Sequence, residues 1–190
     1  NFFLNFSESK NLLLKQTILG LCVTQGRYSI ADLTRELNTS IPTTTKLVEE
    51  LIEEGFLEDL GKLDTNGGRR PNIYGLKASA GYFIGTDVRR HHVSIAIADF
   101  RGDIVDYIDS IPFKVESSAD SFRNLCSIIK DNIRKFGIKE EEVLAYGLNL
   151  SGRVNNETGY CFTYFIGEDR PIASLMEEEL GGRVFVENDS

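Results

Sequence analysis

The sequence has few cysteines, and their arrangement suits neither a disulfide framework nor a zinc site. The three residues Cys22, Cys126 and Cys161 are widely spaced, with no Cys-x-x-Cys pair and no histidine near them. Such a pattern is typical of a protein in a reducing compartment. The sequence also predicts no signal peptide, because the apolar stretch at residues 1–6 is too short and has no basic flank. These features predict a cytoplasmic protein with no metal site and no cofactor.

Long apolar runs, repeats and low-complexity segments are absent too, so the sequence predicts no membrane span. Basic side chains are fewer than acidic ones. The chain has 21 Lys and Arg against 29 Asp and Glu, a formal net charge of −8. An acidic chain is a poor general nucleic-acid binder, so any contact with nucleic acid must be confined to a small surface.

The length and the charge distribution favour two domains over one. A chain of 190 residues with 41% hydrophobic content can bury a substantial core. Residues 1–77 hold 9 basic and 10 acidic side chains, net −1, whereas residues 78–190 hold 12 and 19, net −7. The predicted domains are therefore 1–77 and 78–190.

Two short helices are predicted in succession between residues 30 and 54. Ser29 is a good N-cap, and Asp32 three residues later completes a variant capping box. After a three-residue polar turn, Ser40 can cap the next helix, whose apolar stripe is formed by Ile41, Thr45, Val48 and Ile52 and widened by Leu47 and Leu51. Gly55 fits a left-handed stop, with Phe56 folding back on the helix.

A hairpin is predicted to follow these helices. An extended segment runs to Leu63, a polar tip occupies residues 64–71, and a return run covers Ile73 to Leu76. An earlier helix, with Leu14, Ile18, Leu21 and Cys22 on one face, supplies a scaffold for the pair. Three helices and a hairpin in this order predict a winged helix-turn-helix domain.

The residues expected to face outward favour DNA as its partner. The exposed first turns of the second helix are predicted to carry Pro42, Thr43, Thr44 and Lys46, which suit base edges and phosphates in a major groove. Arg69 and Arg70, near the hairpin tip, would reach phosphates or the adjacent minor groove. The alternative is that the helices belong to an ordinary helical domain and the tip is a solvated turn.

The second half has a strand-rich pattern. Strands are predicted at Tyr82–Thr86, Val93–Ala98, Ile104–Ile108, Val143–Leu150 and Val184–Val186, with helices at Phe122–Phe136 and Pro171–Leu180. The order β-β-β-α-β-α-β predicts a mixed sheet with helical crossovers.

These local sequences resemble the ROK family of repressors and sugar kinases. The resemblance is carried by Ile84-Gly85-Thr86-Asp87, by Ala98 to Gly102, by Tyr146 to Val154 with Glu157-Thr158-Gly159, and by Val186-Glu187-Asn188-Asp189. It implies the first lobe of an actin-like, ribonuclease H-like domain, incomplete at its C-terminus because family members continue into a second lobe. With a winged domain in front, it implies the regulator branch: a sugar-responsive repressor of carbohydrate uptake or catabolism genes that acts as a homodimer or higher oligomer on an operator.

The resemblance also implies where a sugar or sugar phosphate would bind. Asn188 and Asp189 match the family's sugar-binding pair, in which the aspartate is the general base of the kinases. Ser151 and Gly152 match a Pro-Gly in many members. Polar turns at the ends of two strands remain the simpler alternative for all four residues.

One departure from the family argues against catalysis. The kinases carry Asp-x-Gly-Gly-Thr, whose glycines admit ATP phosphates, whereas here Asp87 is followed by bulky residues at 88–92. The expectation is a domain without phosphoryl transfer, in which Asp87 is a vestige that caps the hairpin and His91 and His92 lie on the surface. The alternatives are an ATP-dependent sugar kinase and a protein-docking adaptor.

Overall fold

The structure, a computed structural model, describes residues 10–62, 71–151, 154–155, 158–161 and 170–188. The chain divides into two units, Asn1–Ala80 and Gly81–Ser190. Among the described residues, no helix has the length and apolar character needed to cross a membrane.

The described residues of the first unit include three α-helices and a three-stranded sheet. In chain order they are α1 (Lys10–Gln25), β1 (Arg27–Ser29), α2 (Ile30–Leu37), α3 (Ile41–Glu53), β2 (Leu57–Lys62) and β3 (Asn72–Leu76). The sheet has the order β1-β3-β2, and both pairings are antiparallel. Strand β1 was not predicted, because three residues are too few to display an alternating pattern.

Both predicted helix N-caps are confirmed. The side chain of Ser29 accepts a hydrogen bond from the Asp32 N–H at 3.2 Å, and that of Ser40 accepts one from the Thr43 N–H at 3.3 Å. Each bond satisfies one of the amide groups that a helix leaves unpaired in its first turn. The starts of α2 and α3 are therefore fixed by the sequence next to them.

The predicted stop of α3 is confirmed as well. Gly55 has φ +84°, a left-handed conformation that glycine adopts without steric cost. The Gly55 N–H donates to the Ile52 carbonyl at 3.0 Å, and the Phe56 N–H donates to the Leu51 carbonyl at 2.9 Å. These two bonds define a Schellman motif, which turns the chain from α3 into β2.

The buried stripe of α3 differs from the prediction. Its buried residues are Thr44, Leu47, Val48 and Leu51, which follow the i, i+3, i+4, i+7 spacing of a helix face. Ile41, predicted to lie on this stripe, is 60% exposed, so that part of the prediction is wrong. Thr44 was predicted to be exposed and is instead fully buried. The stripe that packs begins one turn later than the apolar pattern indicated, with a threonine as its first member.

The second unit is an α/β structure with one large sheet. Its elements are β4 (Tyr82–Val88), β5 (His92–Asp99), β6 (Ile104–Pro112), α4 (Ala119–Phe136), β7 (Val143–Leu150), β8 (Val154–Asn155), β9 (Tyr160–Cys161), α5 (Ile172–Leu180) and β10 (Arg183–Asn188). The sheet order is β10-β7-β4-β5-β6, with β10, β7 and β4 parallel and the other pairings antiparallel. The predicted mixed sheet is confirmed, and the short β8–β9 pair is an addition to it.

The core of this unit lies between one face of the sheet and the two helices. Helix α4 contributes Leu125, Ile129 and Ile133, and α5 contributes Met176 and Leu180. Inward-facing strand residues complete the core, among them Ile84, Val93, Ile95, Ile97, Leu148, Leu150 and Val186. The alternate strand positions lie on the opposite face. Polar groups at the ends of the parallel strands are thereby held on a rigid sheet.

Candidate functional site

The start of α3 forms an exposed polar surface in the first unit. Pro42, Thr43 and Lys46 are exposed, and no acidic side chain lies in the first turn. The Lys46 side chain is 72% exposed, and its Nζ lies 3.8 Å from Glu50 Oε1, a loose contact across one turn. The Thr43 hydroxyl is exposed, and its Oγ1 lies 2.9 Å from Ser40 Oγ. A helix N-terminus with an exposed hydroxyl and a lysine is electrostatically suited to an anion such as a phosphate.

Thr44 does not belong to this surface, which corrects the prediction that it faces a ligand. Its Oγ1 lies 2.9 Å from the Oγ1 of Thr39, in the turn before the helix. The Thr44 N–H also donates to the Ser40 carbonyl at 3.0 Å. A buried hydroxyl needs a partner, and Thr39 provides one. Thr44 therefore fixes the turn to α3 instead of contacting a ligand.

The two arginines predicted at the hairpin tip, Arg69 and Arg70, lie outside the described residues. The strands on either side of this tip are joined near its base, where Asn72 Nδ2 donates to Asp59 Oδ2 at 2.8 Å. The same aspartate accepts the Gly61 N–H at 2.8 Å. Asp59 thus links the two strands where their register shifts, between Asp59 and Lys62.

In the second unit, the carboxyl ends of three parallel strands bring polar side chains together. Asp87 of β4 is the Cα partner of Asn149 on β7, and Asn149 is the partner of Glu187 on β10. These residues are separated by up to 100 positions in sequence, yet they lie side by side in one row. Ligands of open α/β sheets bind preferentially at this edge.

Both carboxylate oxygens of Asp87 have partners. Asn149 Nδ2 donates to Oδ1 at 2.9 Å, and Arg89 Nε donates to Oδ2 at 2.8 Å. Arg89 is one of the bulky residues that follow Asp87 in sequence. Its guanidinium offsets the negative charge of Asp87 and fills space beside it. Asn149 was not predicted as a site residue. The signal for it was an amide interrupting a buried apolar strand.

The predicted sugar-binding residues lie at the next level of the same edge. Ser151 follows Leu150, which is the Cα partner of Asn188, so the ends of β7 and β10 bring Ser151 and Asn188 close together. The Ser151 N–H and its Oγ both donate to the Val88 carbonyl at 3.2 Å. Ser151 therefore also ties the end of β7 to β4. Gly152 and Asp189, the other two predicted residues, lie outside the described residues.

A cavity of about 380 Å³ lies on the sheet face opposite the helices. Small residues form its floor and aromatic side chains its flanks, with polar groups at one end: Gly85, Ala96 and Gly147, then Tyr107 and Phe185, then Asp87, Asn149 and Glu187. Ser151 and Asn188 do not line it. Asn188 follows Glu187 on β10 and so lies on the opposite face of the sheet. The cavity and the predicted sugar residues are therefore two separate features of this edge.

The described residues offer little support for metal binding or for thiol chemistry. It contains no cluster of three or more His, Cys, Asp or Glu side chains that could hold a metal ion. Burial raises the pKa of the Cys22 thiol to about 11 and that of Cys126 to about 12. Because the thiolate is the reactive form, these two thiols are poor nucleophiles at neutral pH.

The fold is similar to that of a ROK family transcriptional regulator. One such protein of known crystal structure, a homolog of the E. coli MLC protein, matches 95% of this chain and 46% of its own, with a TM-score of 0.68 and 18% sequence identity. No protein-family model matches the sequence.

Its curated relatives include named repressors. The chain is 25% identical to the xylose repressor of Caldicellulosiruptor bescii and 24% identical to that of Bacillus subtilis, in each case over 96% of this chain. It spans 45% and 46% of those two proteins, about half their length. The predicted resemblance to ROK family regulators is thereby confirmed.

Proposed function

We propose that the first unit is a winged helix-turn-helix domain that binds a double-stranded DNA operator through α3. The observation that carries the proposal is the exposed, capped start of α3, which presents Thr43 and Lys46 with no acidic side chain in the first turn. Helices α2 and α3 are joined by three residues, as in a helix-turn-helix pair. The antiparallel strands β2 and β3 then correspond to the wing.

The side chains at this surface have distinct proposed roles. Thr43 reaches base edges or phosphates in the major groove, Lys46 pairs with a phosphate, and Pro42 starts the helix with an already fixed φ. Arg69 and Arg70 are proposed to contact phosphates from the hairpin tip. With a net charge of −8, the chain depends on these few cations, so binding should be selective and sensitive to salt.

The second unit is proposed to sense a sugar and to control this binding. Its candidate site comprises Ser151 and Asn188, with Gly152 and Asp189 beside them in sequence. The names of the relatives favour xylose as the first effector to test, and their role favours repression. In a homodimer, the effector would favour one arrangement of the paired DNA-binding domains and so change the spacing that must match two half-sites.

We infer that this unit does not transfer phosphoryl groups. Catalysis of that reaction depends on positioning and neutralising the phosphates. Here the Asp87 carboxylate is already engaged by Arg89 and Asn149, and bulky residues replace the close-approach glycines. A sugar kinase, the alternative, would release ADP when given ATP and a sugar that binds, whereas the proposed regulator would not.

The DNA-binding proposal is tested with a fluorescent duplex enriched from a random-sequence pool on the wild-type chain. Lys46→Ala should weaken binding and reduce the slope of log affinity against log salt by about 0.9, the value for one lost phosphate contact. The matched control is Lys135→Ala, which removes the same charge from an exposed position of the second unit. Failure to enrich any duplex, or equal effects of the two variants, would contradict the proposal.

A further inference from the structure

Lys15 is a charged residue on the buried face of α1. It shares that face with Ile18, Leu19 and Cys22, at the spacing of a helix stripe, and is only 8% exposed. Lysine is rarely buried unless it is paired, and here two carboxylates from α3 face it. Lys15 Nζ lies 2.7 Å from Glu50 Oε2 and 2.6 Å from Glu54 Oε1.

The end of α3 concentrates negative charge. Four glutamates fall in its last turns and C-cap, namely Glu49, Glu50, Glu53 and Glu54. Carboxylates near a helix C-terminus are opposed by the helix dipole, and they also repel DNA phosphates. Lys15, supplied by another helix, is the cation that offsets two of them.

Glu50 divides its carboxylate between two lysines. Its Oε2 lies 2.7 Å from Lys15, whereas its Oε1 is 3.8 Å from Lys46. The shorter contact joins Glu50, which is 32% exposed, to a lysine side chain that is 10% exposed, and the longer one joins it to a lysine side chain that is 72% exposed. Water therefore screens the shorter contact less than the longer one. Glu50 is therefore held mainly by Lys15, and the Lys46 side chain remains available to contact another group.

We propose that Lys15 is a positioning residue for DNA binding: it holds Glu50 and so leaves Lys46 available to pair with a phosphate. This inference rests on the proposed DNA-binding function of α3. Without Lys15, the nearest cation for Glu50 is Lys46, one turn away on the same helix, and DNA must compete with that carboxylate.

The protonation of Lys15 and Glu50 agrees with this arrangement. The hydrogen bond from Lys15 is the main cause that lowers the pKa of Glu50 below its ordinary value. Burial opposes the charged form of Lys15, but its hydrogen bonds to Glu50 and Glu54 outweigh that effect and raise its pKa. Both partners therefore stay ionised throughout the pH range of a binding experiment.

The test is a set of anisotropy titrations of the full chain with the fluorescent duplex enriched on the wild type. Lys15→Met should bind about fivefold more weakly, the upper end for an exposed ion pair that changes partners. The control Lys10→Met, which removes the same charge from an exposed position of α1, should bind as the wild type does. Adding Glu50→Gln to Lys15→Met should restore affinity, and Lys15→Arg should retain it.

The decisive comparison is a double-mutant cycle with Lys46→Met. If Lys15 acts through Lys46, then Lys15→Met should have no further effect in the Lys46→Met background. Additive losses, no rescue by Glu50→Gln, or equal binding by the Lys15→Met and Lys10→Met variants would each overturn the inference while leaving DNA binding intact. A wild-type chain that enriches no duplex would overturn both.

A second variant tests the inference if Lys15→Met does not fold. Glu50→Gln alone removes the competing carboxylate, so it should bind the duplex about twofold more tightly than the wild type, within the range of an exposed pair. Unchanged or weaker binding by Glu50→Gln would contradict the inference.

Discussion

The candidate site of the first unit lies on one helix, whereas that of the second is assembled from strands far apart in the chain. Pro42, Thr43 and Lys46 are neighbours in sequence, and their exposure follows from which side of α3 packs. Asp87 and Asn149 are 62 residues apart and meet only through the parallel pairing of β4 and β7. The first surface is thus fixed by helix packing, and the second by sheet register.

This difference separates the expected effects of mutations. In the first unit, residues one position apart should divide cleanly into those that stabilise the fold and those that bind. In the second, the two roles should not divide so cleanly, because Ser151 joins two strands and is also one of the residues proposed to bind the sugar.

The largest expected effect is on stability. Leu51→Ala removes a side chain that is fully buried in α3 and should lower the free energy of unfolding by about 2 to 5 kcal/mol. Ile41→Ala, at a position 60% exposed on the same helix, should change it by less than about 0.5 kcal/mol. Urea unfolding followed by circular dichroism measures both. Similar losses for the two variants would contradict the observed packing of α3.

The next effect is on sugar affinity. Asn188→Ala should weaken sugar binding by about tenfold or more, because a ligand group would lose its hydrogen-bonding partner in the site. Arg183→Ala, at the other end of β10, should have no effect. Calorimetric titration of the product of the complete gene with xylose and other pentoses provides the measurement. Equal losses in the two variants would remove Asn188 from the site.

A smaller effect on stability should distinguish Thr44 from its neighbour Thr43. Thr44→Val should cost about 1 kcal/mol of stability, since it breaks the buried hydroxyl pair with Thr39. Thr43→Val should leave stability nearly unchanged and weaken binding to the enriched duplex. Thermal melts and anisotropy titrations of both variants decide this. The reverse pattern would restore Thr44 to the binding surface.

The smallest effect is the pH dependence of the Lys15 ion pairs. The folded-state pKa of Glu50 is lowered from 4.5, so its stabilisation is present above pH 4.5 and is lost as the pH falls through the lower folded value. The pKa of Lys15 is raised from 10.5, so its stabilisation is present below pH 10.5 and is lost as the pH rises through the higher folded value. The difference in melting temperature between wild type and Lys15→Met should therefore be constant between these limits and shrink outside them. A difference independent of pH would exclude the ion pairs as its cause.

The sequence predicted features that depend on neighbouring residues. The caps at Ser29 and Ser40, the stop at Gly55, and the β-β-β-α-β-α-β order are confirmed, because they follow from short-range hydrogen bonds and from the periodicity of apolar residues. The resemblance to a known family added the fold of the second unit.

Features that depend on distant partners were missed. The burial of Thr44 depends on a hydroxyl in the preceding turn, and the burial of Lys15 depends on two glutamates of another helix. The pairing of Asn149 with Asp87 depends on sheet register. Nothing in the local pattern names such partners, although a polar residue at a core position signals that one exists.

The central claim is that a sugar controls DNA binding through α3. Its most direct test is the anisotropy of the enriched duplex bound to the product of the complete gene, followed as xylose and other sugars are added. The account predicts that a sugar which binds the wild type releases the duplex, and that Asn188→Ala keeps its affinity for DNA but no longer responds to that sugar. A sugar that saturates the protein by calorimetry and leaves its affinity for DNA unchanged would contradict it.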